Sequence, residues 1–182
     1  MERTDRELVG ECLAGSRQAF EALVDRYQRV IFNVAYRMVN NYEEAEDITQ
    51  AVFIKGFENM KSFNPRYKFF SWLYRIAVNE SLNVIRARKR MVDLSPGLVS
   101  TGKTPEEAYG DAELGAKIGE ALMQLDPDYR IVIVLKHLRE CSYKEISDIL
   151  EIPEKTVKSR LFTARMLLRG VLVEKGIVGN DR

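Results

Sequence analysis

The chain has 182 residues, 46% of them hydrophobic and 30% charged, a composition that suits one ordinary domain or two small ones and excludes wholesale disorder. Five prolines and 11 glycines exclude collagen-like or linker-dominated chemistry. The net charge of +1, from 28 Lys+Arg against 27 Asp+Glu, gives as an average no sign of a polyanionic partner.

Taken in chain order, the periodicity is helical throughout. Thr4 with Glu7 has capping-box spacing for a short first helix, and Ser16 caps a long second one. In that second helix Phe20, Leu23, Val24, Tyr27, Val30, Ile31, Val34, Ala35 and Met38 fall at spacings of threes and fours, one continuous buried stripe. Asn41 followed by Glu44 opens a third helix, with a stripe of Ala45, Ile48, Val52, Phe53, Phe57 and Met60. A break over Ser62–Arg66, containing Pro65, precedes a fourth, which carries Trp72, Leu73, Ile76, Ala77 and Val84 and ends in Arg86-Ala87-Arg88-Lys89-Arg90.

Residues 91–104 show no period and hold Pro96, Gly97, Ser100, Thr101 and Gly102, which marks a linker. Thr104-Pro105-Glu106-Glu107 then reads as a capping box with proline at the first helical position, and Asp126-Pro127 repeats that start. Ser142 with Glu145 opens another helix, and Ile152-Pro153-Glu154 marks one more break. Ile131–Leu135 is β-branched, yet its flanks favour a buried helix over a strand. The expected fold is all-α: about four helices, a flexible linker, then about four more, in two small helical domains of which the second contains a helix-turn-helix.

Several functions are excluded or weakened. Met1–Glu7 has no apolar core, so no signal peptide is expected, and the longest apolar run, Ile131–Leu135, is far short of a membrane span. A cytoplasmic protein without membrane insertion is expected. Cys12 and Cys141 are isolated, which suits a reducing compartment and two buried structural cysteines. His137 is the single histidine, so neither a metal site nor a catalytic triad is expected, and no cofactor. Gly97 to Thr104 matches the phosphate-binding pattern G-x-x-x-x-G-K-[ST]. It lacks a buried strand before it, and Pro105 disfavours helical dihedrals at Thr104, which fits a helix N-cap better than a magnesium ligand. A P-loop ATPase is therefore the weakest of the readings carried forward.

Resolved by segment, the charge tells more. Residues 1–50 net −4, residues 51–90 net +7, residues 91–113 net −4, residues 114–153 net −2 and residues 154–182 net +4. Two basic segments are cancelled by three acidic ones, an asymmetry typical of polyanion binders.

Two constellations lie in those basic segments. Ser142 to Leu150, a turn at Glu151-Ile152-Pro153 and a longer helix from Glu154 to about Arg169 have the rhythm of a helix-turn-helix. Val157, Leu161, Ala164 and Leu168 make the buried stripe of its second helix. Lys155, Lys158, Ser159, Phe162 and Thr163 lie towards the other side, placed to reach base edges, with Arg160 and Arg165 placed for phosphates or packing. The other constellation is Phe63-Asn64-Pro65-Arg66-Tyr67-Lys68-Phe69-Phe70-Ser71-Trp72-Leu73-Tyr74-Arg75, where aromatics interleave with basic residues. Unpaired bases can stack on such faces while the cations hold the backbone, although Phe69, Leu73 and Ile76 sit at core spacing. The run at 86–90 adds phosphate contacts, with Arg86 and Arg88 as candidates.

The runs Ala45 to Phe57, Phe70 to Asn79, Ser142 to Ile146 and Thr156 to Leu161, in this order and spacing, resemble the extracytoplasmic-function class of bacterial sigma factors over roughly residues 5–172. The resemblance implies a specificity subunit with core RNA polymerase and promoter DNA as partners, often with an anti-sigma factor as a third. It implies that Asp47, Gln50 and Phe53 dock on the polymerase. Phe63, Asn64, Arg66, Tyr67, Lys68, Trp72, Arg75, Asn79, Arg86 and Arg88 would then capture the unpaired strand at the −10 element. Lys155, Thr156, Lys158, Ser159, Arg160, Phe162 and Thr163 would read the −35 element as duplex. The implied layout is a region-2-like domain over 1–91, a linker over 92–112, a region-4-like domain over 113–176 and a tail over 177–182. Lys155, Asp126 and Thr163 depart from the family's usual residues, which bears on −35 preference and leaves docking untouched. A free-standing helix-turn-helix regulator explains 142–169 alone.

Overall fold

The computed structural model describes residues 3–94 and 112–179. Among them are eight α-helices and no strand. The expected linker, the Thr104 capping box and the 97–104 phosphate-binding pattern lie mostly or wholly outside the described residues.

Helices α1 (Asp5–Leu13), α2 (Arg17–Val39), α3 (Tyr42–Glu58) and α4 (Phe69–Leu94) form the first unit. Each of the first three starts on the side chain the sequence offers. Thr4 and Glu7 make a reciprocal capping box, Ser16 accepts from the Ala19 amide, and Asn41 accepts from the Glu44 amide. The long α2 ends at Asn40, which takes the left-handed conformation (φ 50°) and donates its amide to Tyr36 O. Leu23, Ile31, Val34, Ala35 and Met38 of α2 pack with Ala45, Ile48 and Val52 of α3 and Leu73, Ala77 and Val78 of α4. A short 3-10 turn, Met60–Ser62, carries the chain from α3 towards α4.

Two expectations for this unit are corrected. Phe57 is not part of the buried α3 stripe: it is 57% exposed, edge to face with Phe20 at 4.9 Å between ring centroids, while Gly56 fills the buried phase of that turn. And α4 does not stop at the basic run but continues to Leu94, because no breaker precedes Pro96.

The second unit comprises α5 (Ala112–Met123), α6 (Pro127–Ile133), α7 (Tyr143–Leu150) and α8 (Glu154–Glu174). Asp126 caps α6 with Pro127 at its first position, and Ser142 with Glu145 forms the second reciprocal capping box, at α7. Glu151 ends α7 in the left-handed conformation (φ 54°), and Pro153 starts α8. Val157, Leu161 and Ala164 of α8 are buried against Ile131, Leu135, Ile146 and Ile149. Ile131–Leu135 is helical and buried as expected, but Val134–Leu138 is wound as a π turn, which lets the Cys141 amide reach Leu135 O at 3.1 Å.

The two units pack on each other. α4 lies against α7, and α2 lies against α5, α6 and the π turn. Arg130 of α6, only 6% exposed, sends its guanidinium to the carbonyls of Leu122, Met123 and Leu125 in its own unit and of Met38 at the end of α2.

Candidate nucleic-acid interfaces

The turn between α3 and α4 is fixed by its own polar side chains. Ser62 Oγ donates to Asn59 O at 2.7 Å, Asn59 Nδ2 donates to Lys55 O at 2.8 Å, and Asn64 Oδ1 accepts from the Arg66 amide at 3.0 Å. Phe63, Phe69 and Trp72 form a triangle of rings 5.5 to 5.7 Å apart. Of the three, Phe69 is core, 5% exposed, whereas Phe63 and Trp72 are half-buried. Asn64, Arg66, Tyr67, Lys68 and Asn79 are exposed.

Beside this triangle is a polar cleft of about 290 Å³ lined by Lys55, Asn59, Ser62, Trp72, Ile76, Asn79 and Glu80. It brings together two residues anticipated from sequence, Trp72 and Asn79, and four polar ones that were not. Lys55 and Glu80 pair at 2.7 Å from α3 to α4. Lys55, Asn59, Ser62 and Glu80 carried no sequence signal because they come from three elements that only the fold unites. An indole wall with hydrogen-bonding groups on one rim suits a single unstacked base.

Not every basic residue of this face is open. Lys68 Nζ is bound to Glu145 Oε1 at 2.6 Å, and Arg75 donates to Glu151 Oε1 at 2.8 Å and to Asp148 O at 2.5 Å. Burial alone would raise the Glu145 carboxyl, but hydrogen bonds from Lys68 and Ser142 outweigh it and hold the group below its ordinary value. Arg88 bonds to Val39 O and the Glu44 carboxylate, so it caps the end of α2, while Arg86 is exposed.

On α8 the residues sort as the helical phase requires. Lys155, Lys158, Ser159 and Phe162 are exposed, Phe162 at 68%, and Thr156 and Thr163 are half-buried. Lys158 Nζ lies 5.4 Å from the centre of the Tyr143 ring, which braces it beside the start of α7. Arg160 pairs with Asp128 at 3.3 Å and is half-buried. Met166, 62% exposed, extends the open face by one turn and was not anticipated.

The exposed face of α3 carries Asp47 and Gln50, with Phe53 half-buried at its margin. Ile54 and Phe57, 58% and 57% exposed, share that face at helical spacing. Their signal was available: they are apolar positions out of phase with the buried Ala45, Ile48 and Val52.

A second cavity, an apolar groove of about 400 Å³, lies between α2, α5, α8 and the π turn. Ile118, Leu122, Val134 and Leu168 are among its lining, and Arg37, Arg165 and Arg169 stand at it. Among the described residues there is no cluster of His, Cys, Asp and Glu able to hold a metal ion.

A family model for Sigma-70 region 2 matches residues 23–91, and one for Sigma-70 region 4 matches residues 115–168. The ECF RNA polymerase sigma factor SigW of Bacillus subtilis is 37% identical over 181 residues, covering 93% of this chain and 97% of that one. Among solved structures, the sigma factor RpoE of Bartonella quintana, crystallised with the anti-sigma factor NepR, is 27% identical with a TM-score of 0.74, over 84% of this chain and 96% of that one. CnrH, solved in complex with the cytosolic domain of CnrY, is 25% identical with a TM-score of 0.73, over 93% of this chain and 97% of that one.

Proposed function

The chain belongs to the ECF sigma factors, the subunits that direct bacterial RNA polymerase to promoters, and on that premise we propose how its residues divide the work. The α3 face of Asp47, Gln50 and Phe53, extended by Ile54 and Phe57, docks on core polymerase. The turn and helix from Phe63 to Asn79 capture the unpaired −10 strand: Phe63 and Trp72 offer ring faces, Asn64, Tyr67 and Asn79 offer hydrogen bonds, and Arg66, Lys68, Arg75 and Arg86 offer charge. Arg88 supports this face through α2 more than through phosphate. Lys155, Lys158, Ser159, Phe162 and Thr163 read the −35 duplex, with Thr156 and Arg160 alongside. Residues 1–91 form the first functional unit, 92–112 the connection, 113–176 the second unit and 177–182 a tail.

The observation that carries this reading is the separation of two chemically different faces on two units. One is a cleft with an aromatic wall, suited to a base out of its stack. The other is an exposed helix face with cations and a phenyl ring at its N-terminal half, suited to a major groove. We infer an initiation factor that catalyses no reaction itself and needs no cofactor or metal, since polymerase carries the chemistry. It works in the cytoplasm with the polymerase; among the described residues no helix is long and apolar enough to cross a membrane. The apolar groove with its arginines supports a further partner, an amphipathic acidic helix of an anti-sigma factor, as RpoE and CnrH were solved with partners bound.

Purified chain added to core polymerase, with no other factor, is expected to start transcripts at discrete sites on a promoter-fragment library. A free-standing regulator would bind duplex and leave core unprogrammed, and an ATPase would turn over nucleotide without core. In the same assay Trp72→Ala should cut permanganate-detected opening about tenfold or more while closed-complex binding changes little. Equal loss in both steps would overturn the assignment of Trp72 to the melted strand.

A further inference from the structure

Helix α1 carries none of the residues assigned to polymerase or DNA, and only Leu8 and Val9 of it are buried. Its head is nevertheless tied to α2 by polar bonds. The reciprocal Thr4–Glu7 cap, with Glu7 Oε2 accepting from the Thr4 amide at 2.7 Å, sets where the helix starts, and Asp5 is its first residue. The Asp5 carboxylate is shared between two neighbours on α2: Oδ1 accepts from Arg26 at 2.6 Å and Oδ2 from the Tyr27 hydroxyl at 2.5 Å. A phenol bonded to a carboxylate at that distance is a charge-assisted pair, shorter and stronger than a bond between neutral groups. Burial first, then Asp5, pushes the Tyr27 phenol up, so the hydroxyl keeps its proton and remains the donor.

From Tyr27 the packing leads to the −10 face. Its ring centre is 5.7 Å from that of Phe69, at an interplanar angle of 60°. Phe69 is core, 5% exposed, and stands 5.6 Å from Phe63 and 5.7 Å from Trp72. The two half-buried rings of the triangle therefore share one buried neighbour, and Tyr27 backs that neighbour. Helix α1 also lies against the 3-10 turn Met60–Ser62, whose Ser62 lines the cleft beside Trp72. Close-packed rings have little slack: a displaced phenol leaves Phe69 without a wall, and Phe63 and Trp72 lose the surface that sets their planes.

We propose that Asp5 and Tyr27 are positioning residues for promoter opening: the carboxylate at the head of α1 fixes the Tyr27 ring, Tyr27 backs Phe69, and Phe69 sets the planes that Phe63 and Trp72 offer to the melted strand. Neither Asp5 nor Tyr27 touches DNA in this scheme. Stacking depends on the plane of the ring, so a tilt weakens capture of unpaired bases and leaves the faces of α3 and α8 unaltered. The proposal rests on the reading that Phe63 to Asn79 hold unpaired DNA.

The test follows variants of the full chain through two measurements. One is the Trp72 indole N–H resonance of the free factor; the other is permanganate-detected opening beside closed-complex binding by the holoenzyme. Asp5→Ala leaves the half-buried phenol without its acceptor, so the ring turns towards water. It should shift the indole resonance and cut opening about three- to tenfold with closed-complex binding unchanged. Adding Tyr27→Phe removes the orphaned hydroxyl, so the resonance should return and opening should recover to within about twofold of the parent. Glu11→Gln, which breaks the exposed Arg3–Glu11 pair on the same helix, should change neither. An indole resonance unmoved by Asp5→Ala, or equal loss of the closed complex, would overturn the relay. A loss that Tyr27→Phe does not restore overturns it too, and makes Asp5 a tether of α1 through Arg26 alone. A resonance that shifts and recovers while opening never changes establishes the relay and overturns the assignment of the −10 face.

Discussion

Arg130 shows how one side chain can tie two units together. Its guanidinium is buried, and burial brings it down to about 10 without costing it its charge at neutral pH. It serves the carbonyls of Leu122 and Met123 at the C-terminal end of α5 and of Leu125 just beyond it, and reaches Met38 as well. Arg130→Met should cost about 3 kcal/mol of unfolding free energy in a urea titration, because four carbonyls lose the buried donor they share. His137 is the pH-dependent counterpart. Burial first, then Arg165 and Lys136, hold its imidazole below the ordinary 6.5, and its Nε2 accepts from Arg165 Nε at 3.3 Å, which needs a neutral nitrogen. The folded state therefore binds the proton more weakly than the unfolded one. This contribution is complete above that ordinary value and is lost as pH falls through it. The melting temperature should drop as pH falls through about 6.5, and His137→Gln should flatten that part of the profile. Cys12 is half-buried rather than buried, whereas Cys141 is 3% exposed and its thiol is pushed up to about 11, chiefly by burial.

Among elements, the helix starts were legible and the interiors less so. Thr4, Ser16, Asn41, Asp126 and Ser142 all cap as read, because a cap is a bond between a side chain and an amide two or three residues on. Phe57 misled for a related reason. Gly56 fills the buried phase of α3 but has no side chain to be counted in a stripe, so the neighbouring Phe took its place in the reading. The π turn at Val134–Leu138 left no trace either, since the apolar run Ile131–Leu135 is buried throughout whichever way it is wound. On α8 the phase was readable, and it supports a concrete expectation. If Lys158 contacts a base edge, Lys158→Ala should cost about 1–3 kcal/mol of binding to the preferred −35 sequence and less to altered ones. Competition binding by holoenzyme on matched promoter variants measures this, and a uniform loss on all sequences would make Lys158 a phosphate contact.

At the scale of the molecule, two basic segments in an acidic chain could be counted before any fold was known, and both carry a face suited to nucleic acid. What could not be counted is that an acidic segment folds back on one of them. Lys68 meets Glu145 and Arg75 meets Glu151 across more than seventy residues of chain, and no periodicity records an approach of that range. The same is true of the cleft beside Trp72, which draws on α3, the turn and α4 together.

That indole has a consequence of a different kind. Trp72 is the chain's single tryptophan, and it stands half-buried at the cleft, 5.5 Å from Phe63 and 5.7 Å from Phe69. Emission excited at the long-wavelength edge, where indole absorbs and the eight tyrosines do not, therefore comes from this one surface. A base stacking there or a shift of the Phe63 ring would change the colour and yield of that light, so the assignment of Trp72 to the melted strand can be followed without a label.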